Sequence, residues 1–263
     1  DYWCITDAGT PRDAIESIRG EMAGIRETLF EKSARAADFG AKIIFWTEGA
    51  APLADDEWDA FLSRAEDFAR EHDVWLSPSA VVLREGETGN GNLALMIDHE
   101  GKLIYRYEKT HSWYPSDSDG VIQTADTPWG RVASVICFDL DFPAFVRQTG
   151  QAGVDILLVP GYDTRAISPF HTRAGLMRGV ENGCSVVRMA NDSTSIAADW
   201  RGNVIGWQDT FTTSDQVMVA DVPTKGRRTP YGMLGDWFVY ADLLLAAGLL
   251  VGIIGRRCKQ SQS

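Results

Sequence analysis

Three ionisable residues of this 263-residue chain stand at or just beyond the ends of apolar runs: Glu48 after IIFW, Lys109 after LIYRYE and Cys137 after VASVI. Strand ends are where α/β folds gather their sites. A cysteine attacks as its thiolate, and a carboxylate within hydrogen-bond reach can take the thiol proton when desolvation has raised its basicity. Glu48 could serve Cys137 in that way. Attack on an amide, nitrile or ester puts negative charge on the former carbonyl oxygen or nitrile nitrogen, which a fixed ammonium such as Lys109, helped by a backbone N–H, would stabilise. The protonated carboxyl can then hand its proton to the leaving group. One base, one cation and one nucleophile make a complete acyl-transfer site, but one Glu, one Lys and one Cys in a chain of this size do not by themselves single out that chemistry.

The other candidate groups offer less. The four cysteines, Cys4, Cys137, Cys184 and Cys258, form no C-x-x-C pair, against a zinc ribbon or a dense disulfide framework. Cys4 and Cys184 read as core packing, and Cys258 as lipidated or simply exposed. His72, His99, His111 and His171 invite a Cys-His protease reading, but no segment around them has the pattern of a papain-type site. Asp117 with Asp119, and Asp139 with Asp141, lack a histidine or third acid in register, so no metal and no cofactor is expected. His111 and Trp113 are placed at the mouth of a pocket or in a solvated loop.

Positioning these groups requires strands that end where they stand. Tyr2–Thr6 reads as a strand, followed by an N-cap at Thr10, Pro11 at the first helical position and Asp13 at the third. Ile15, Ile18, Met22, Ile25 and Leu29 recur at helical spacing, and a second helix carries Trp58, Phe61, Leu62, Ala65, Phe68 and Ala69. Strands are expected at Ile43–Trp46, Val74–Val82, Asn92–Ile97, Leu103–Tyr107, Val132–Ile136, Ile156–Val159, Ser185–Ala190, Ser193–Ala198 and Gln216–Val222, with helices near Ala144–Ala152 and His171–Asn182. This alternation implies layered sheets flanked by helices in one domain. With 37 acidic against 25 basic residues the net charge is -12, which offers nucleic acid no basic stripe to follow.

The tail differs in kind. Phe238–Ile254 (FVYADLLLAAGLLVGII) is interrupted only by Asp242 and followed by Arg256, Arg257 and Lys259, close to the roughly 20 residues that cross a bilayer. A membrane span is expected there, with a buried or interfacial helix as the alternative. The chain opens at Asp1 without a signal-peptide pattern, and reads as a mature product or a piece of something longer.

The segments WTEGA around Glu48, YEKTHSWYP around Lys109 and SVICFDLDFP around Cys137 resemble, in order and separation, the three signature stretches of the nitrilase (carbon-nitrogen hydrolase) superfamily. His171 through Ser195, with Arg178, Glu181, Asn182, Arg188 and Asn191, resembles the helix and strand that follow the nucleophile there. The resemblance implies a four-layer α-β-β-α sandwich over residues 1–237, then an apolar helix and basic tail at 238–263. It carries over Glu48, Lys109 and Cys137 as base, oxyanion-stabilising lysine and nucleophile. Phe138, Asp139 and Trp113 are substrate-binding candidates. Asp117 is a candidate where the family has a second glutamate, although the family's Gly-Glu is Ser116-Asp117 here.

TPYGMLGDWF at Thr229–Phe238, followed by an apolar helix, is similar to the end of the superfamily's apolipoprotein N-acyltransferase branch. That branch implies a non-cytoplasmic catalytic domain and transfer of an acyl group from a phospholipid to an amine of a lipoprotein. Phe138-Asp139 after the nucleophile, where the branch has Tyr-Glu, looks more like the hydrolases. A cytoplasmic amidase or nitrilase acting on a small amide therefore stays open, as does a catalytically silent interaction module of the same fold.

Overall fold

The computed structural model describes residues 11–86, 91–213 and 216–260. The strand expected at Tyr2–Thr6, the cap at Thr10, Cys4, and the side chains of Arg256, Arg257, Cys258 and Lys259 lie outside what it describes.

Helix α1 (Arg12–Asp38) buries Ile15, Met22 and Phe30 and runs well past the stripe that ends at Leu29. Pro11 is extended rather than helical and precedes the first turn instead of sitting in it. The next elements are β1 (Ile43–Phe45), β2 (Ala51–Ala54) and α2 (Trp58–His72), then β3 (Trp75–Ser77), β4 (Ser79–Leu83), β5 (Gly91–Ile97) and β6 (Leu103–Glu108). The strand expected as one piece over Val74–Val82 is thus two, split at Pro78, which has no N–H to give a ladder. Parallel pairing of β1 with β3 and of β2 with β4 transmits that break to the neighbouring strand. Strand β5 runs antiparallel to both β3 and β4, and β6 closes the first sheet.

The second half of the domain comprises β7 (Thr124–Thr127), β8 (Gly130–Ser134), α3 (Pro143–Ala152), β9 (Ile156–Tyr162), α4 (Ser168–Asn182), β10 (Ser185–Asn191), β11 (Thr194–Ala198) and β12 (Val204–Asp209). They make a second six-stranded sheet in the order β12-β11-β10-β9-β8-β7. Gln216–Val222, expected as a strand, joins no ladder; it runs beside β12, where Gln208 Nε2 reaches the Val217 carbonyl at 3.2 Å.

Alternation along the strands explains the layering. In β5, Leu93, Leu95 and Ile97 face Phe61, Phe68 and Phe30 of the α1 and α2 layer, while Ala94 and Met96 face the other sheet. In β9, Ile156 and Leu158 meet that inter-sheet core, while Leu157 and Val159 pack with Val146 and Leu140 on the α3 side. Tyr105 crosses between the sheets, its hydroxyl 2.9 Å from the Ser134 hydroxyl. The result is the expected four-layer α-β-β-α sandwich.

After α4 the chain returns over the domain. Arg227 N–H donates to the Gly183 carbonyl at 2.7 Å, and Thr229 caps α5 (Pro230–Leu234), whose Gly232 lies against Gly150 of α3. Helix α6 (Trp237–Gln260) follows, starting one residue before the expected boundary; the stretch Trp237–Ile254 has a mean hydropathy of 2.1 and none of it is buried. Gly183 sits at φ +72 at the end of α4, and a Cβ there would meet the Arg227 carbonyl oxygen at 1.6 Å. Gly183→Ala is expected to destabilise the domain by about 1–3 kcal/mol through combined strain and overpacking, read as a lower thermal midpoint of the detergent-solubilised chain.

Candidate functional site

The break between β1 and β2 is what presents Glu48. Trp46 N–H still bonds to the Ser77 carbonyl, and then the chain leaves the ladder over 47–50, with Gly49 at φ 57 and its N–H donating to the Ser79 hydroxyl at 3.1 Å. Glu48 is therefore carried on a tight bulge at a sheet break, where its side chain turns into the space between the sheets. It is 4% exposed.

Lys109 follows β6 directly, and its backbone N–H donates to the Asn92 carbonyl at 2.9 Å. Its ammonium lies 2.7 Å from Glu48 Oε1, to which Asn92 Nδ2 also donates at 2.8 Å. Burial works against the ammonium, but the Glu48 carboxylate, with Cys137 and Asp139 close by, outweighs it and raises the lysine pKa. Lys109 thus stays charged. Glu48 Oε2 accepts from the Tyr162 N–H at 3.0 Å, so the carboxylate is held by donors from three elements.

Cys137 opens a 3-10 turn (Cys137–Asp141) at the end of the β8 segment, and its φ of 45 is left-handed. For a residue with a Cβ that conformation costs about 1–2 kcal/mol, and here Asp139 holds the turn together. The Asp139 carboxylate, wholly buried, accepts from Ile136 N–H at 3.1 Å, from His111 N–H at 2.8 Å and from the Tyr107 hydroxyl. It ties the Cys137 turn to the loop after Lys109. The Cys137 sulfur is 3.3 Å from the Tyr162 carbonyl and 3.9 Å from Asp163 Oδ1. Burial first, and then the Glu48 charge, push its thiol pKa up, against the pull of Lys109.

The structure thus brings Glu48, Lys109 and Cys137 to one buried place. Of the other candidates, Phe138 and Asp139 share the Cys137 turn, and Trp113 and Asp117 lie on the loop after Lys109. Phe138 stacks on Trp113, 5.6 Å between ring centres, and Trp113 is 86% exposed, so this pair runs outward from the residue beside Cys137. His111 stacks on Phe142 at 3.5 Å. Asp117 is exposed and gives its N–H to Glu108; it is the Ser116 hydroxyl that reaches the Lys109 carbonyl, at 2.6 Å. The Asp139 carboxylate is buried and occupied by its bonds to Ile136, His111 and Tyr107.

Sequence reasoning passed over Asn92, Tyr162 and Asp163. Asn92 and the Tyr162 peptide act on Glu48 across long stretches of chain, with no local spacing to betray them. Asp163 offered one signal, an acid directly after the apolar run of β9. Its Oδ1 lies 2.8 Å from His171 Nδ1, and its Oδ2 accepts from Arg188 Nη2 at 2.7 Å and Ser193 Oγ at 2.6 Å. Cys137, Asp163 and His171 each place one potential metal-ligand atom within 4.8 Å of the others, and Asp163 is paired with Arg188 and His171. That cluster is satisfied without an ion.

A sandwich of two six-stranded sheets between helical layers is the fold of solved members of the nitrilase superfamily, and in this chain a carboxylate, an ammonium and a thiol converge between the sheets. An amidase of that superfamily from Nesterenkonia AN1 superposes with a TM-score of 0.62 at 20% identity, covering 72% of this chain and 81% of the amidase. The carbon-nitrogen hydrolase family model matches residues 16–231, and the chain belongs to that family of enzymes. Apolipoprotein N-acyltransferases of Vibrio vulnificus and Geobacter metallireducens are each 27% identical to it, over 81% and 88% of this chain. The chain spans about half the length of these curated relatives, 48% and 49%. A deaminated glutathione amidase of Yersinia enterocolitica is 26% identical over 64% of this chain and 68% of its own length.

The buried network beside Cys137 also sets a pH dependence. The hydrogen bond to Asp163 raises the His171 pKa above its ordinary 6.5 in spite of burial. Burial pushes the Asp163 carboxyl up, but the His171 bond, the Arg188 charge and Ser193 outweigh it and hold its pKa below 3.8. The His171 contribution is full below pH 6.5 and is lost as pH rises through the raised folded value; the Asp163 contribution is present above 3.8 and lost on acidification through the depressed one. Urea denaturation across pH is expected to show stability declining from pH 6 toward alkaline values, and His171→Gln should flatten that decline.

Proposed function

We propose that the chain is the catalytic part of a membrane-bound N-acyltransferase that forms a thioester on Cys137 from a phospholipid and passes the acyl group to an amine of a lipoprotein. The observation that carries this reading over hydrolysis is α6: an apolar helix fully exposed on a water-filled surface is unfavourable, and a bilayer is the medium that suits it. The acyltransferase relatives support it. In this reading the domain lies on the non-cytoplasmic side, and the basic residues after Ile254 mark the opposite end of the span.

In the first half-reaction Glu48 takes the thiol proton as Cys137 Sγ bonds to the ester carbonyl carbon. The carbonyl electron pair moves to oxygen beside the Lys109 ammonium. Collapse re-forms the carbonyl and breaks the ester C–O bond, and the departing alkoxide takes the proton from Glu48, leaving an acyl thioester and a lysophospholipid. In the second, a neutral amine attacks the thioester and gives a proton to Glu48. Collapse expels the Cys137 thiolate, which recovers that proton as the amide leaves. The Glu48–Lys109 contact keeps base and cation in register throughout. Water in place of the amine would give an amidase or esterase, a reading that the deaminated glutathione amidase relative favours.

Incubation of the detergent-solubilised chain with phospholipid should add a fatty-acyl mass to the intact protein, and Cys137→Ala should remove it entirely. An acyl adduct surviving in that variant would sink the assignment; no adduct, together with turnover of short amides, would favour the amidase. Glu48→Gln is expected to slow acylation by about a hundredfold to ten-thousandfold, the usual worth of a general base, in a rapid-quench assay.

A further inference from the structure

The Tyr162 main chain touches both ends of the proton-transfer pair, through the two peptide groups that flank its Cα. Its N–H donates to Glu48 Oε2 at 3.0 Å, and its carbonyl accepts the Cys137 thiol at 3.3 Å. A change in φ or ψ at Tyr162 would move base and nucleophile relative to each other. Tyr162 ends the β9–β10 ladder, opposite Asn191, and the next residue anchors it beyond the last ladder position. Asp163 N–H bonds to the Asn191 carbonyl at 3.1 Å, and its carboxylate is clamped by His171 of α4, Arg188 of β10 and Ser193 before β11. Asp163 is 3% exposed, and Arg188 and Ser193 are wholly buried.

A buried ion pair of this kind is a weak source of stability, because desolvating both charges offsets most of their attraction. Its directional bonds, however, admit one geometry. The same carboxylate sits 3.9 Å from Cys137 Sγ, where its charge opposes thiolate formation. Around His171 the facing groups are Asp163 from β9, Arg188 from β10 and Asp141 from the Cys137 turn, the last 3.3 Å from Nε2.

We propose that Asp163 is a positioning residue: clamped by His171, Arg188 and Ser193, it helps to fix the Tyr162 main chain that spaces Glu48 from Cys137, and its Oδ1 stands as an acceptor and a negative charge beside the thiol. The proposal rests on Cys137 and Glu48 being nucleophile and base, but it makes no use of the acyl donor.

The test uses the full chain in detergent, with iodoacetamide as probe and the Cys137 peptide followed by mass. Asp163→Asn keeps the shape and removes the charge. Alkylation of Cys137 at pH 8 should become several-fold faster, while kcat for acyl transfer falls by about a hundredfold, the cost of a misplaced reacting pair, with KM little changed. A folded Asp163→Asn that alkylates at the wild-type rate, or that loses activity through KM alone, overturns the proposal. Should that variant fail to fold by circular dichroism, Ser193→Ala removes one donor from Oδ2: alkylation should slow and kcat fall, and no change in either overturns the proposal. If the wild type transfers no acyl group from phospholipid, the N-acyltransferase reading fails, and the alkylation arm still decides the role of Asp163.

Discussion

The carboxylate of Glu48 is the point on which the rest of the structure turns. A nearly inaccessible negative charge is tolerable only when its lone pairs are met, and here Lys109, Asn92 and the Tyr162 N–H meet them from β6, β5 and β9. Those donors belong to both sheets. The sandwich therefore closes on this charge as well as on the apolar inter-sheet core, and the approach of the sheets sets the geometry of base, cation and thiol together.

Two local devices deliver the groups to that point. Pro78 interrupts β3 and β4, and the parallel partner strand breaks with them, so that Glu48 stands on a bulge facing inward. At Cys137 a left-handed residue starts a 3-10 turn that the buried Asp139 secures from both sides. Each device is locally unfavourable, a lost ladder bond in one case and a strained φ in the other. Strain of this sort collects where a side chain must be aimed.

The tail obeys a separate constraint. The Arg227–Gly183 bond, the Thr229 cap and the Gly232–Gly150 approach fasten α5 onto α3 and α4, and α6 leaves from that anchored point with its apolar surface uncovered. The catalytic domain and the apolar helix are thus joined by a packed junction rather than by a loose linker.

Much of this is written locally. Continuous apolar runs such as Ile156–Val159 and helical stripes such as Phe61, Ala65, Phe68 and Ala69 identify the layers, because a strand buried on both faces is apolar throughout and a helix buried on one face is apolar at helical spacing. The signature stretches around Glu48, Lys109 and Cys137 marked three residues that the structure does bring together, and the apolar run of the tail is legible from composition alone. The four-residue strands β2 and β7 are too short to show a period, and β12 is largely exposed with no buried apolar face to read, while Gln216–Val222 has the pattern of a strand but no ladder to enter. Asp139 and Asp117 looked alike as loop acids. Only the assembled sheets bury the first among three donors and leave the second in solvent. The roles of Asn92 and Tyr162 were invisible for the same reason, and Asp163 showed only as an acid after an apolar run: hydrogen bonds made across the sandwich depend on which strands become neighbours, and local spacing carries no record of that.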